Sequence, residues 1–171
     1  MRARIFAVAL AVIATAVALA WANRPSPPLA VRADYVLVEK SAHRLTLYHR
    51  GHPIAWYRIA LGRGGLAAKH QAGDGLTPEG HYIIDRHLER SAFHKALHLS
   101  YPSPQQVAEA RAAHIDPGGA IMIHGLRNRL GWIGRLHRII DWTNGCIAVT
   151  DTEMDILWQA IKDGTPVDIR R

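Results

Sequence analysis

Between Gly62 and Gly80 the chain carries Gly64, Gly65, Gly73, Gly75 and Pro78, a spacing of breakers that leaves no room for a regular helix or a continuous strand. A parallel βαβ arrangement needs crossover helices around residues 40 to 80, where this chain has turns instead. Gly62-Arg63-Gly64-Gly65 is a poor nucleotide loop as well, because neither a Gly-Lys-Ser/Thr element nor an opening helix follows it. Before the loop, Tyr35 to Glu39 and Arg44 to Tyr48 read as strands across a Lys40-Ser41-Ala42-His43 turn. A turn at His49 to Pro53 then leads into a third strand, Ile54 to Ala60. After it, His81 to Ile84 begins a strand and Lys95 to Leu99 offers another. Ser103-Pro104 opens a helix to Ala113, and Ala120 to Ile123 is a compact apolar strand that delivers His124 at its end. Thr150 and Glu153 form a capping box for a helix over Asp151 to Lys162, with Gly164 as its stop, and Val167 to Ile169 is expected as an edge strand. Strands in succession with a few interspersed helices predict a β-rich α+β domain with a mixed β-sheet and short helices.

The N-terminus is of a different kind. Arg2 and Arg4 precede Ile5 to Ala22, where 17 of 18 residues are apolar and only Thr15 is polar. A charged start and an apolar run without a polar face read as an export signal, with Ala18-Leu19-Ala20 supplying small residues for cleavage. The run sits at the lower edge of a membrane span, so a retained anchor is the alternative. Residues 1–22 are therefore assigned to a signal peptide or N-terminal membrane anchor, 23–33 to a proline-containing spacer, and 34–171 to a single domain. Its expected location is the periplasm or cell envelope, anchored at the inner membrane if the segment is retained.

A formal charge of +7 comes from 21 basic and 14 acidic residues and falls to +5 without Arg2 and Arg4. The positives are scattered among 11 histidines, with no basic recognition helix, so nucleic acid is not expected as a partner. An anionic envelope polymer suits an exported basic protein better.

Cys146 is the one cysteine. An unpaired thiol in an exported chain is buried, partnered between chains or chemically active. Gly145 permits a sharp turn beside it, Asn144 and Thr143 can hold that turn, and backbone N–H groups there could face an oxyanion. His124, followed by Gly125, is the candidate base: it would withdraw the thiol proton, and the resulting ion pair would stabilise the attacking form. His81, His137 and Asp141 are candidates to orient His124 or bind substrate. No cofactor or metal is expected, since His81, His124, His137 and Cys146 do not form a compact ligand motif.

Ile121-Met122-Ile123-His124-Gly125 and Thr143-Asn144-Gly145-Cys146-Ile147 together resemble the His-Gly and Ser/Thr-x-Gly-Cys-Ile/Val pair of the exported L,D-transpeptidase, or YkuD-like, catalytic domains. Thr77 to Ile84 resembles the segment before a core strand of that domain, and the likeness covers roughly residues 34 to 170. It implies a sandwich-like catalytic domain in which Cys146 attacks a peptide carbonyl, His124 acts as base, and an acyl-enzyme on a peptidoglycan stem peptide passes to an amine. Asn144 stands where that family often has histidine, and Ala148 where it often has arginine two residues after the cysteine. The usual carboxylate contact would then fall to Arg127, Arg129 or Arg135. The block from Asp141 to Thr150 with Glu153-Met154 resembles a branch that includes enzymes detaching lipoprotein from peptidoglycan, which would make wall-linked lipoprotein a partner and water the acceptor. A non-catalytic wall-binding domain is the alternative of a different class.

Overall fold

A computed structural model describes residues 2–24 and 28–171. The first helix, α1, runs Arg2–Ala22. It is followed by β1 (Tyr35–Glu39), β2 (Arg44–His49), β3 (His52–Arg58), β4 (Gly80–Arg90), β5 (His94–Leu99), α2 (Pro104–Ala112) and β6 (Met122–His124). A 3-10 segment (Gly131–Ile139), β7 (Ile147–Ala148), α3 (Asp151–Ala160) and β8 (Pro166–Arg170) complete the chain. The expected capping box forms at Thr150 with Glu153 on α3, and α2 carries a second one, Ser103 with Gln106.

The eight strands lie in the order β3-β2-β1-β8-β4-β5-β6-β7. This is the mixed sheet of a β-rich α+β domain. β8 corrects one expectation, because it is no edge: it pairs parallel with β1 and antiparallel with β4, with Val167 and Ile169 buried in the core. β4 is long enough to serve two neighbours. Gly80 to Ile83 pair with β8, the register shifts between Ile84 and Arg86, and the remainder pairs with β5. A bulge at the point where the partner changes bends the sheet.

The bend brings the far end of the sheet back towards its beginning. Ala60, just beyond β3, exchanges two backbone hydrogen bonds with Ala148 of β7 (3.0 and 2.8 Å), and Gly62 bridges Thr143. The interior is filled by Val36, Val38, Leu45, Leu47, Ile84, Leu97, Ile123, Ile147, Leu157 and Val167, all fully enclosed. The segment carrying Cys146 is thus stitched to the chain leaving β3.

The glycine-rich loop is tied down by charge. Lys40 is fully buried, and its Nζ donates to Ala67 O (2.7 Å), Thr77 O (2.9 Å) and Glu79 Oε1 (2.9 Å). Asp74 accepts from Lys69 Nζ and from the N–H groups of His70, Gln71 and Leu76. Burial alone would raise the Asp74 pKa, but these donors outweigh it and hold the carboxyl at about 2. Lys40→Met leaves Glu79 and two carbonyls without their donor. It is expected to cost about 3 kcal/mol in urea unfolding; a loss below about 0.5 kcal/mol would contradict this role for Lys40.

The carboxyl end of α1 rests on the 3-10 segment. Ala22 is buried, Asn23 Nδ2 donates to Trp132 O (2.9 Å), and Arg135 reaches Trp21 O and Arg24 O. Counted over the described residues, no helix is long and apolar enough to cross a membrane. Pro25 to Pro27, in the expected spacer, lie outside the described residues.

Candidate active site

β6 and β7 run side by side in parallel, with Ile123 opposite Ile147 and His124 opposite Ala148. Paired residues of a parallel ladder share a face, and the face alternates along each strand. Ile123 and Ile147 point into the core. His124, Ala148 and, one step before β7, Cys146 therefore point the other way. Ideal strand spacing puts the α-carbons of His124 and Cys146 about 8 Å apart, a gap that the two side chains can close.

The turn before Cys146 is built by Thr143 and Gly145. The Thr143 hydroxyl accepts from Gly145 N–H (3.1 Å) and donates to Cys146 O (2.7 Å). Gly145 has φ +129, and a Cβ there would lie 2.6 Å from Leu76 O. The loop that Lys40 holds thus packs directly on the turn before Cys146. Gly145 N–H is engaged by Thr143. Asn144 is exposed at the tip of the turn.

His124 is nearly sealed, at 1% exposure. Its Nδ1 lies 2.6 Å from Gly125 O, so Nδ1 carries the proton and Nε2 keeps a free lone pair. Burial pushes its pKa down to about 4 despite the help of the Gly125 carbonyl. The Phe93 ring stacks on it at 4.0 Å, and Trp142 meets it edge-on at 5.8 Å. Cys146 is half-buried, and its thiol reaches Ala120 O at 3.6 Å. Burial raises the thiol pKa, opposed by a backbone contact at Met122 and by the charge of Lys69. The resting pair is neutral thiol and neutral imidazole, not the thiolate–imidazolium pair that the sequence suggests.

The other candidates are placed as follows. The orienting bond to His124 comes from Gly125 O, so none of His81, His137 and Asp141 supplies it. Asp141 bridges His43 Nε2 (2.9 Å) and Leu61 N–H (2.8 Å), which clamps the loop before Cys146 to the chain after β3. His81 is exposed and pairs with Asp168 at 2.6 Å, on a strand three positions from β7 in the sheet. His137 is buried close to the site and accepts from Trp142 Nε1 at 3.3 Å. Arg127 is exposed on the rim beside Phe93, which it meets in a β-bridge, while Arg135 is taken up by α1. No local sequence pattern marks Phe93, Ala120 O or Leu76 O as neighbours of the site, whereas Trp142 stands next to Thr143.

Two buried histidines make stability depend on pH. Burial holds the His124 pKa at about 4, and burial with the Arg138 charge holds that of His137 at about 3, both below an ordinary value near 6.5. Above pH 6.5 both contributions are complete. As pH falls towards these folded values, the unfolded chain takes up protons that the folded one refuses, and stability is lost. Urea unfolding at pH 5 is expected to give about 2 kcal/mol less per histidine than at pH 7, and His137→Phe should flatten the slope. Equal stability at the two pH values would contradict neutral burial.

Residues 33–169 match the family model for the L,D-transpeptidase catalytic domain, YkuD. YafK of Escherichia coli (strain K12), an L,D-transpeptidase by provisional name, is 27% identical over 134 residues, covering 74% of this chain and 46% of that protein. Among solved structures, the helical cell shape determining protein Pgp2 from Campylobacter jejuni superposes with a TM-score of 0.64 at 21% identity, covering 90% of this chain and 54% of that one. Bd1075 of Bdellovibrio bacteriovorus gives 0.58 at 23% identity, covering 86% and 54%. At these identities the two structures share the fold. The chain spans about half the length of the relatives it matches.

Proposed function

Because this chain belongs to the L,D-transpeptidase catalytic domain family, which its residues 33–169 match, we propose that it is a cysteine acyltransferase acting on peptidoglycan stem peptides. The observation that carries this reading is the parallel β6–β7 register, with His124 and Cys146 on one face and the imidazole held by Gly125 O so that Nε2 is free. Residues 1–22 serve as the export signal or anchor that delivers the domain to the envelope.

In this reaction Nε2 of His124 takes the thiol proton as Sγ of Cys146 attacks the carbonyl carbon. The negative charge that develops on the carbonyl oxygen is met by the Cys146 backbone N–H, on a turn stiffened by Thr143. Collapse breaks the carbon–nitrogen bond, and the imidazolium returns its proton to the departing amine, which leaves a thioester on Cys146. An acceptor amine then attacks the thioester, gives a proton to His124, and expels the thiol as the new amide forms. Ala148 cannot supply the arginine common at its position. Arg127, exposed on the rim next to Phe93, is assigned that task.

Water can replace the amine in the second half, which would make the protein a murein peptide hydrolase, including one that frees wall-linked lipoprotein. The first half is common to both. Supplying a defined donor with water alone and then with graded amine acceptor separates them by product. Transfer predicts a new amide whose share rises with amine concentration. Hydrolysis product alone at every amine concentration would overturn transfer in favour of the hydrolase, and binding without any product would overturn both.

A further inference from the structure

The 3-10 segment and the residues that flank it turn apolar side chains outward. Trp132 is 62% exposed, Ile139 77% and Ile140 67%, and Leu130 is exposed as well. Leu130, Ile139 and Ile140 share one open apolar groove of about 740 Å³ with Ala92 and Phe93. Apolar surface of this kind is unfavourable in water and marks a face that meets a partner.

Charge narrows the choice of partner. From Gly125 to Ile140 the chain carries Arg127, Arg129, Arg135 and Arg138 and no acidic residue. Arg138 is neutralised by Glu153. Arg129, Arg135 and Arg24, whose carbonyl accepts from Arg135, stand in no ion pair among the described residues. Exposed apolar side chains among unpaired arginines suit a layer of anionic headgroups over an acyl interior. A second copy of the chain would instead bring the same positive charges into the contact.

The first helix supplies a separate argument. In α1 the side chains of Leu10, Val12, Ile13, Val17 and Trp21 are exposed, so this helix has its own need of lipid. Its carboxyl end is fixed to the 3-10 segment. Asn23 Nδ2 donates to Trp132 O, Arg135 donates to Trp21 O and Arg24 O, and the Arg135 guanidinium lies 5.9 Å from the centre of the Trp21 ring. Tryptophan beside arginine is the pairing found where a protein passes from headgroups to water. When α1 enters lipid, the 3-10 segment is the part of the domain brought against the surface.

Independently of the acyl-transfer reading, we propose that the 3-10 segment is a membrane-docking face, which seats Leu130, Trp132, Ile139 and Ile140 among the headgroups of an anionic bilayer and places Arg24, Arg129 and Arg135 on lipid phosphates. Three arginines at such a surface favour contact with anionic over neutral lipid by about a hundredfold.

The test uses the full chain with Cys146→Ala, so that one introduced cysteine carries an environment-sensitive fluorophore. Ile139→Cys and Ile140→Cys report on the face, at positions exposed enough to accept the label, and each covers failure of the other to fold. Ile83→Cys, 43% exposed and at the end of β4 away from the β4–β5 hairpin, is the control. The chain is reconstituted into vesicles of phosphatidylglycerol and phosphatidylcholine with brominated acyl chains, which quench a label only where it meets the bilayer. The labels at Ile139 and Ile140 should shift to the blue and lose most of their emission, while the label at Ile83 stays unchanged. Leaving out phosphatidylglycerol should bring quenching at the face down towards that control. Quenching at Ile139 and Ile140 no greater than at Ile83 overturns the face and leaves lipid contact to α1. A blue shift without quenching overturns it in favour of contact between copies, and equal quenching on neutral lipid overturns the part given to the arginines.

Discussion

Cys146→Ala is expected to reduce release of the leaving amino acid from a stem-peptide donor to the background rate, a fall of at least about 10⁴-fold. In the proposed reaction the thiol is the attacking atom, and the thioester cannot form without it. The fold should hardly notice the change. Cys146 is half-buried and its sulfur makes only weak polar contacts, to Ala120 O at 3.6 Å and to the Met122 backbone, so the stability cost should stay within about 1 kcal/mol. Thermal unfolding of the variant beside the wild type separates lost chemistry from lost structure. A folded Cys146→Ala protein that retains release within tenfold of the wild type would sink the mechanism.

His124→Gln is expected to lower kcat/KM by about 10² to 10⁴-fold, the range that a positioned general base supplies. Glutamine cannot accept the thiol proton, and it gives up the stacked contact with Phe93. The neutral resting pair adds a second signature. Since burial raises the Cys146 pKa, alkylation of the wild-type thiol by iodoacetamide should keep accelerating through the alkaline range. A rate that is already level from about pH 5 upward would mean a preformed thiolate–imidazolium pair, contrary to the burial of both groups.

What could be read from the sequence was local. The capping box at Thr150 was legible because it is closed by side chains three residues apart. The Cys146 and His124 segments were legible for a related reason: each motif is short and its glycine has a conformational task, plainest at Gly145 with φ +129 against Leu76 O. The place of β8 was not legible. Val167-Asp168-Ile169 alternates like an edge strand, and only long-range pairing with β1 and β4 makes it central. The 3-10 segment was missed because Gly131 and Gly134 interrupt the period of Trp132, Ile133, Leu136 and Ile139, with Gly134 at φ 51 breaking the helix in two. Asp141 and His81 stood out as titratable groups near the motifs, yet the fold engages them with His43, Leu61 and Asp168. Phe93 reaches His124 only because the β4–β5 hairpin bends over β6, which no short motif records.

The central claim is a covalent acyl group on Cys146. Intact-mass measurement of the full chain mixed with a defined stem peptide, quenched in acid, reads it directly. The account predicts a mass gain equal to the donor minus its departing amino acid, mapped to the peptide that carries Cys146 and lost in Cys146→Ala. Turnover of the same donor with no adduct on Cys146 at any quench time, or an adduct that persists in Cys146→Ala, would contradict it.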